Sequence, residues 1–529
     1  MVVTACGGTP TPQVVKETVV VQGTPQVVEK EVTKVVEKVV TATPEPAPAV
    51  EQKLRIALSQ LPVNIDMTRS SSFDMIIESL IYDPLVRIGA DGSPEPSSAV
   101  SWEPIDPTTW QFKLREGVKF HNGEKFDAEA VKFSLDWYLN PDVRIVYSRN
   151  LRAIKEVQVV DKYTVNIITN GPSATLVGNL AAAWMRPPKY SAEVGLDGFA
   201  KAPIGSGPFK LVEFKPDERL ILERNEEYWG GAPLLETVEF VEMPEQSTRA
   251  AALEAGEVDI AADMPIDQVQ RLQDAGLEIE SVTESVVICV LLVNPKQREE
   301  YPFLSDKRVR QALNYAVDKE ELVNALTGGY GRPAMGQYVG PDGFGYDPDF
   351  IAYEYDPDKA RELLAEAGYP DGFKFTLHYP VGRYAFADEI FQALPSYLAQ
   401  VGVEVELDRM ENAAWEERYL ANELGTTVVA PNYIPTMDVD RILTFYHPSF
   451  PRKWVEEDPK MTALIDKERS TLDPVERLKV LHEAIAYGAE MAPVIWLMFP
   501  PSVYGYSPRV HDVGFRSTKQ FDLNTAYIE

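Results

Sequence analysis

The sequence predicts an α/β protein of two or three domains, on the strength of its length, its composition and a sustained alternation of strand-like and helix-like segments. The chain has 529 residues, more than one hydrophobic core usually organises. Hydrophobic residues make up 45% and charged residues 25%, an ordinary globular balance that allows a large buried core. From Lys53 onward, short apolar runs alternate with helical patterns of about ten residues, the signature of α/β lobes.

Leu54-Arg55-Ile56-Ala57-Leu58 alternates like a first strand. Asp127 is placed to cap a helix opening at Ala128, with Phe126 stapling onto Val131. Tyr163-Thr164-Val165-Asn166-Ile167-Ile168 reads as a strand. Residues 248–255 read as a helix stopped by Gly256, and Val258-Asp259-Ile260 as the strand that follows. Val286 to Leu292 is a continuous apolar run, hence a buried strand, with Cys289 inside it as a small hydrophobe.

In the second half, Val309, Ala312, Leu313, Ala316 and Val317 fall on one helical face. Asp318 with Glu321 forms a capping box for a helix that ends at Gly328-Gly329. Asp356-Pro357 opens another helix, with proline at its first position; Ala360, Leu363, Leu364 and Ala367 face inward and Gly368 closes it. Strands at 373–378 and 403–407 flank a helix around 391–399.

The formal net charge is −30. An acidic excess of this size argues against nucleic acid as a partner, since phosphates demand Lys/Arg patches. It also disfavours docking on an anionic membrane through basic residues. Residues 9–50 are of low complexity, rich in Thr, Pro and Val, with no aromatic side chain. Such a segment buries too little surface to offset its ordering entropy, so residues 7–50 are expected to form an extended spacer. The rival is a short helix or coiled coil through Val28, Val32, Val35, Val36 and Val39.

Ahead of the spacer, residues 1–6 end in Val3-Thr4-Ala5-Cys6, followed by Gly7-Gly8. The pattern resembles a bacterial lipobox, in which small residues precede a cysteine that becomes diacylated. Cys6 is therefore the expected lipidation site, and the missing signal is expected upstream. Spacer and anchor together describe a soluble body tethered outside a membrane, held by lipid alone.

The chemistry of catalysis is missing from the sequence. The five histidines, His121, His378, His447, His482 and His511, show no ligand spacing, and no zinc motif is present. There is no G-x-S-x-G elbow and no Walker-type phosphate loop. Gly205-Ser206-Gly207-Pro208 runs into a strand rather than a helix and is expected to be a tight turn. No catalytic residue, metal or cofactor is expected, and the protein is not expected to be an enzyme.

Eight collinear segments between about residues 53 and 514 resemble the family 5 extracellular solute-binding proteins. Among them are Tyr82-Asp83-Pro84-Leu85-Val86, the run from Trp110 to Gly123, Pro203 to Phe209, Arg224-Asn225-Glu226-Glu227-Tyr228-Trp229, and Arg308 to Ala316. The resemblance implies a bilobed periplasmic-binding-protein-like clamp of class II, from the large cluster with an extra inserted domain. One lobe would comprise 51–99, 203–286 and 503–529, the insert 100–202, and the second lobe 287–502. Hinge crossings would fall near 281–293 and 494–506.

The resemblance also implies a ligand set. Met75 precedes the Tyr82 motif in the family's pocket-lining stretch. Tyr147 and Trp184 stand in the insert where an aromatic and a charged contact are usual, and Arg186 would supply that charge. Tyr433 stands at a pocket-aromatic position and Trp496 at the return crossing. Core packing competes with ligand contact for both, and is preferred outright for Trp110 and Trp229. Asp438 lies where peptide binders carry Asp-Pro-Asp, but Met437-Asp438-Val439-Asp440 departs from that pattern. The implied function is capture of an oligopeptide-like solute by hinge closure and delivery to the permease and ATPase of an ABC importer, by a monomer outside the cytoplasm. The alternatives are an oligosaccharide or metallophore binder and, from another class, a cell-surface hydrolase.

Overall fold

A computed structural model describes residues 50–65, 74–143, 145–292, 300–431, 436–450 and 457–529; for Val146 and Tyr147 it describes the backbone alone. Cys6, residues 7–49 and Tyr433 lie outside the described residues. Within 51–529, three sheets carry the architecture.

The first strand, Lys53–Leu58, sits near the middle of a seven-stranded sheet. Leu54, Ile56 and Leu58 turn into the core, as their alternation requires. The strand pairs in parallel with Thr237–Glu242 and with Ile260–Ala261. Arg219–Arg224 and Phe209–Lys215 extend one side; Pro501–Tyr506 and Glu278–Thr283 complete the other. The expected strand at 258–260 is shorter and begins only at Ile260. Asp259 stands just before it: its carboxylate accepts from the backbone N, Nε and Nη2 of Arg55 at 2.8–2.9 Å, and its N–H donates to the Arg55 carbonyl at 2.8 Å.

A six-stranded sheet runs in the order Arg332–Pro333, Val494–Phe499, Ile288–Leu291, Thr427–Val429, Phe373–Pro380 and Val403–Met410. Its central members read as continuous apolar runs because helices cover both faces. Cys289 is fully buried there, and burial pushes its thiol well above the usual range. The chain passes from the first sheet to the second between Thr283 and Ile288, and returns between Phe499 and Pro501.

The helices follow their caps. Asp127 accepts from the backbone of Glu129 and Ala130 at the head of Ala128–Leu139. Asp318 accepts from Glu321 N–H, and Lys319–Thr327 ends at Gly328 in the left-handed region. Asp356 caps Pro357–Glu366, which buries Ala360, Leu363 and Leu364. The helix expected at 391–399 begins four residues earlier, as Ala387–Ala399, and tolerates Pro395 within it.

A four-stranded antiparallel sheet, Ala99–Asp106, Thr109–Leu114, Thr164–Thr169 and Ile154–Asp161, packs with the helix Ala128–Leu139 around its own core of Phe112, Phe120, Phe126, Val131 and Leu135. Each phenylalanine here contributes about 1.5–3 kcal/mol by leaving water. His121, at the edge of this body, holds it to the turn Gly205–Gly207. The Gly205 N–H donates to Nδ1 at 3.3 Å and Nε2–H donates to the Gly207 carbonyl at 3.0 Å. That pairing fixes the neutral tautomer, and burial lowers the ring's pKa to about 4.

Candidate solute-binding site

The turn Gly205-Ser206-Gly207 is pressed against the end of the helix Asp74–Ile81. A Cβ at Gly205 would run into the Ile81 carbonyl, and Gly207 N–H donates to that carbonyl at 2.9 Å. Only glycine permits so close a backbone approach. The turn thereby fixes Tyr82 and Asp83 as one wall of a cavity of about 560 Å³.

Met75, Ser79 and Leu80 of the same helix continue that wall. The C-terminal segment supplies a second wall with Arg516, Thr518, Gln520 and Phe521. Gln520 Nε2 donates to the Met75 carbonyl at 3.4 Å, tying the two walls together. Pro341, Asp342 and Met437 enter from the part of the chain that carries the six-stranded sheet. The two sides meet closely: a Cβ on Gly92 would lie 2.5 Å from Phe344 N. Ser285 Oγ donates to Asp342 Oδ2 at 3.3 Å and lies within hydrogen-bond distance of Ser517 Oγ, at 2.9 Å.

Asp83 is buried among donors. Trp229 Nε1 and Ser206 Oγ each reach Oδ2 at 2.9 Å, and Tyr228 Oη reaches Oδ1 at 3.4 Å. Burial nonetheless pushes its pKa up to about 6, against those hydrogen bonds and the charge of Arg87. Burial, then the Asp83 charge, pushes the Tyr228 phenol up in turn.

The expected ligand residues divide. Met75 and Trp184 line the cavity. Trp184 is buried, its Nε1–H donating to Glu78 Oε2 at 3.0 Å, and its ring offers an apolar face. Arg186, expected to supply charge to a solute, is buried away from the lining, its guanidinium 4.0 Å from the Trp137 ring centre and 4.2 Å from that of Phe199. Trp496 is likewise off the lining, fully buried and stacked on Tyr353 at 5.8 Å. Tyr147 lies in the short helix Val146–Leu151.

Asp438, expected to face the solute, faces Arg477 instead: Nη1 and Nη2 donate to its two oxygens at 2.6 and 3.0 Å. Glu468 Oε2 shares the same guanidinium at 2.8 Å. The pair anchors the segment that carries Met437, which holds a positive φ of 49° and reaches the cavity. Phe344 N–H donates to the Met437 carbonyl at 2.7 Å, and Val439 N–H returns to the Phe344 carbonyl at 3.1 Å.

Sequence reasoning passed over Asp83, Arg87, Tyr228 and Arg516. Asp83 and Tyr228 lay inside two quoted motifs, so their position was available and their role was not. Arg516 carried no local signal, since the Ile88 carbonyl to which it donates lies more than 400 residues away. Among the described residues, no group of three or more His, Cys, Asp or Glu side chains is placed to hold a metal ion. No described helix is long and apolar enough to cross a membrane.

A cleft between two α/β bodies, joined by two strand crossings and lined by apolar side chains together with many polar and charged ones, suits the binding of a small solute. Residues 93–450, well over half of the chain, match the bacterial extracellular solute-binding proteins, family 5 Middle. The chain belongs to this family, whose members are transport binding proteins and not enzymes. It is 36% identical over 313 residues to the glutathione-binding protein GsiB of Pectobacterium atrosepticum. That match covers 58% of this chain and spans 59% of the relative's length.

Among solved structures, HbpA2 of Haemophilus parasuis shares the fold with a TM-score of 0.79 at 23% identity, over 90% of this chain and 100% of that one. The periplasmic binding protein DppA of Helicobacter pylori, in complex with the peptide STSA, is similar at 26% identity and a TM-score of 0.72, over 90% and 98% of the two chains. The expected bilobed α/β fold is therefore the fold observed.

Proposed function

We propose that this chain is the solute-capturing component of an ATP-driven importer, enclosing a peptide-like solute in the 560 Å³ cavity and handing it to a permease. The observation that carries this reading is the cavity itself, walled from two α/β bodies that the chain connects by only two crossings. In this reading one lobe comprises 51–99, 203–286 and 503–529, the insert 100–202, and the second lobe 287–502, with closure about the crossings.

The cavity's size supports a short solute. A cavity of about 560 Å³ falls in the range usual for small-molecule pockets and favours a small solute over a long peptide. Relatives that bind glutathione and a four-residue peptide agree with that class. Met75 and Trp184 would contact the solute, and Tyr147 and Tyr433 remain candidates for contact. Arg186 and Trp496 would shape the walls from behind, and Asp438 would act as a positioning residue for Met437. Cys6 would anchor the chain to the outer face of the membrane through lipid.

Mass spectrometry of solute released from the purified protein tests the class directly; a recovered polysaccharide or metal chelate would reject it. Solution scattering on addition of that solute should show a smaller radius of gyration, and an unchanged radius would reject closure. With a complete signal sequence in front, Cys6→Ser should release the protein from membranes, and undiminished retention would reject the anchor.

A further inference from the structure

The chain as a whole carries a formal charge of −30, a field that repels an approaching anion at long range. The cavity holds two cations against that field: Arg87 and Arg516 are the basic residues of its lining. We infer that these two arginines form a subsite for a carboxylate of the solute, with Arg516 as its principal ligand. The inference rests on the reading of this cavity as the solute site.

The turn that carries Arg516 is built to hold it still. Its N–H donates to the Gln520 carbonyl at 3.1 Å and its carbonyl accepts from Lys519 N–H at 2.8 Å. Lys519 is in turn fixed by Glu284 and Asp263, at 3.0 and 3.2 Å. Arg516 Nη1 donates to the Ile88 carbonyl at 3.1 Å, which brings the guanidinium beside the residue next to Arg87.

Neither arginine is tightly neutralised. The carboxylate near Arg516 is Asp522, at the long distance of 3.5 Å. Asp522 Oδ1 accepts from the backbone and side-chain amides of Asn524 at 3.3 and 3.0 Å, which holds the carboxylate with its Oδ2 at that longer reach from Arg516 Nη2. Arg87 meets Glu95 at 3.3 Å with both side chains nearly half exposed, a pairing that holds little energy. Asp83, within the field of Arg87, already has three donors on its oxygens. Planar forks of this kind take a carboxylate through two parallel hydrogen bonds once the cleft closes and dries. Three aspartates in the same lining, Asp83, Asp342 and Asp522, disfavour a dianionic phosphate and suit a singly charged carboxylate.

The test uses the purified chain freed of solute and calorimetric titration with glutathione and with Ser-Thr-Ser-Ala, each as free acid, as carboxamide and, for the serine peptide, as O-phosphate. Ser79→Trp, which fills the cavity, reports on the site; R516Q, R87Q and R516K report on the subsite; circular dichroism checks that each variant is folded. The free acids should bind the wild-type chain at least tenfold more tightly than the carboxamides. R516Q should abolish that preference, R87Q should reduce it, R516K should restore part of it, and affinity for the carboxamides should fall far less than affinity for the acids. If R516Q weakens acid and carboxamide equally, or neither, while Ser79→Trp abolishes binding, the subsite is overturned and the cavity stands. Binding that survives Ser79→Trp overturns the cavity reading and the subsite with it. Failure of every free acid to bind overturns the proposal, as does tighter binding of the phosphorylated probe through Arg516.

Discussion

Acid should loosen this protein at His121 before carboxylates of ordinary pKa titrate. Both ring nitrogens are engaged, one accepting from Gly205 N–H and the other donating to the Gly207 carbonyl, so a second ring proton would face a donor. Burial holds the pKa near 4, against about 6.5 in the unfolded chain. A base with a depressed folded pKa contributes stability that is full above the unfolded value and is lost as pH falls toward the folded one. Between pH 7.5 and pH 5 the loss is about 2 kcal/mol. His121→Gln removes this titration, so the stability gap between wild type and variant should shrink by about 2 kcal/mol over that interval. Urea unfolding at the two pH values, followed by tryptophan fluorescence, measures it. With only five histidines in the chain, the His121 ring proton can also be followed directly by NMR. A stability gap that stays constant with pH, or a ring that titrates near 6.5, would refute the reasoning.

Asp83 should act with the opposite sign: its folded pKa near 6 lies above the unfolded value, so its contribution is present at low pH and lost as pH rises through 6. The gap between wild type and Asp83→Asn should widen by about 1 kcal/mol from pH 7 to pH 5 in the same assay, and a gap that narrows would contradict the burial argument. Asp438→Asn should cost about 3 kcal/mol of stability by leaving Arg477 half-paired in a buried site; an unchanged urea midpoint would show the pair to be dispensable. Gly205→Ala should cost about 3 kcal/mol, since the new methyl displaces Ile81, and should weaken solute binding by moving Tyr82 and Asp83. Normal binding by that variant would separate the turn from the cavity wall.

Much of the fold was legible because its signals are local. Asp127, Asp318 and Asp356 cap helices within three residues of themselves, and Cys289 reads as core from its immediate neighbours. Asp259 shows where local reading stops: its apolar flanks suggest a strand, but its ion pair with Arg55, two hundred residues away, has no local signal. The site was less legible for the same reason. Asp438 is a lone acid beside a second acid until Arg477 arrives from another helix, and Trp496 stacks on Tyr353, which precedes the helix beginning at Pro357. Arg516 reaches the cavity only because the last residues of the chain return to the first helix.

The two passages between the sheets are mechanically unequal. The return passage is Pro500, followed at once by Pro501 at the head of the next strand. Two ring-locked φ angles leave that passage little but ψ to rotate, and neither residue can donate to a ladder. The outward passage, 284–287, contains no proline or glycine and spans four residues. One strap is therefore stiff and the other compliant. In the proposed closure the stiff strap would set the pivot and the angular travel would fall on the compliant one, where Glu284 N–H donates to the Pro500 carbonyl at 2.8 Å and Ser285 N–H to the Ser517 carbonyl at 3.0 Å. A door hung this way swings about one line and resists being slid or twisted off it.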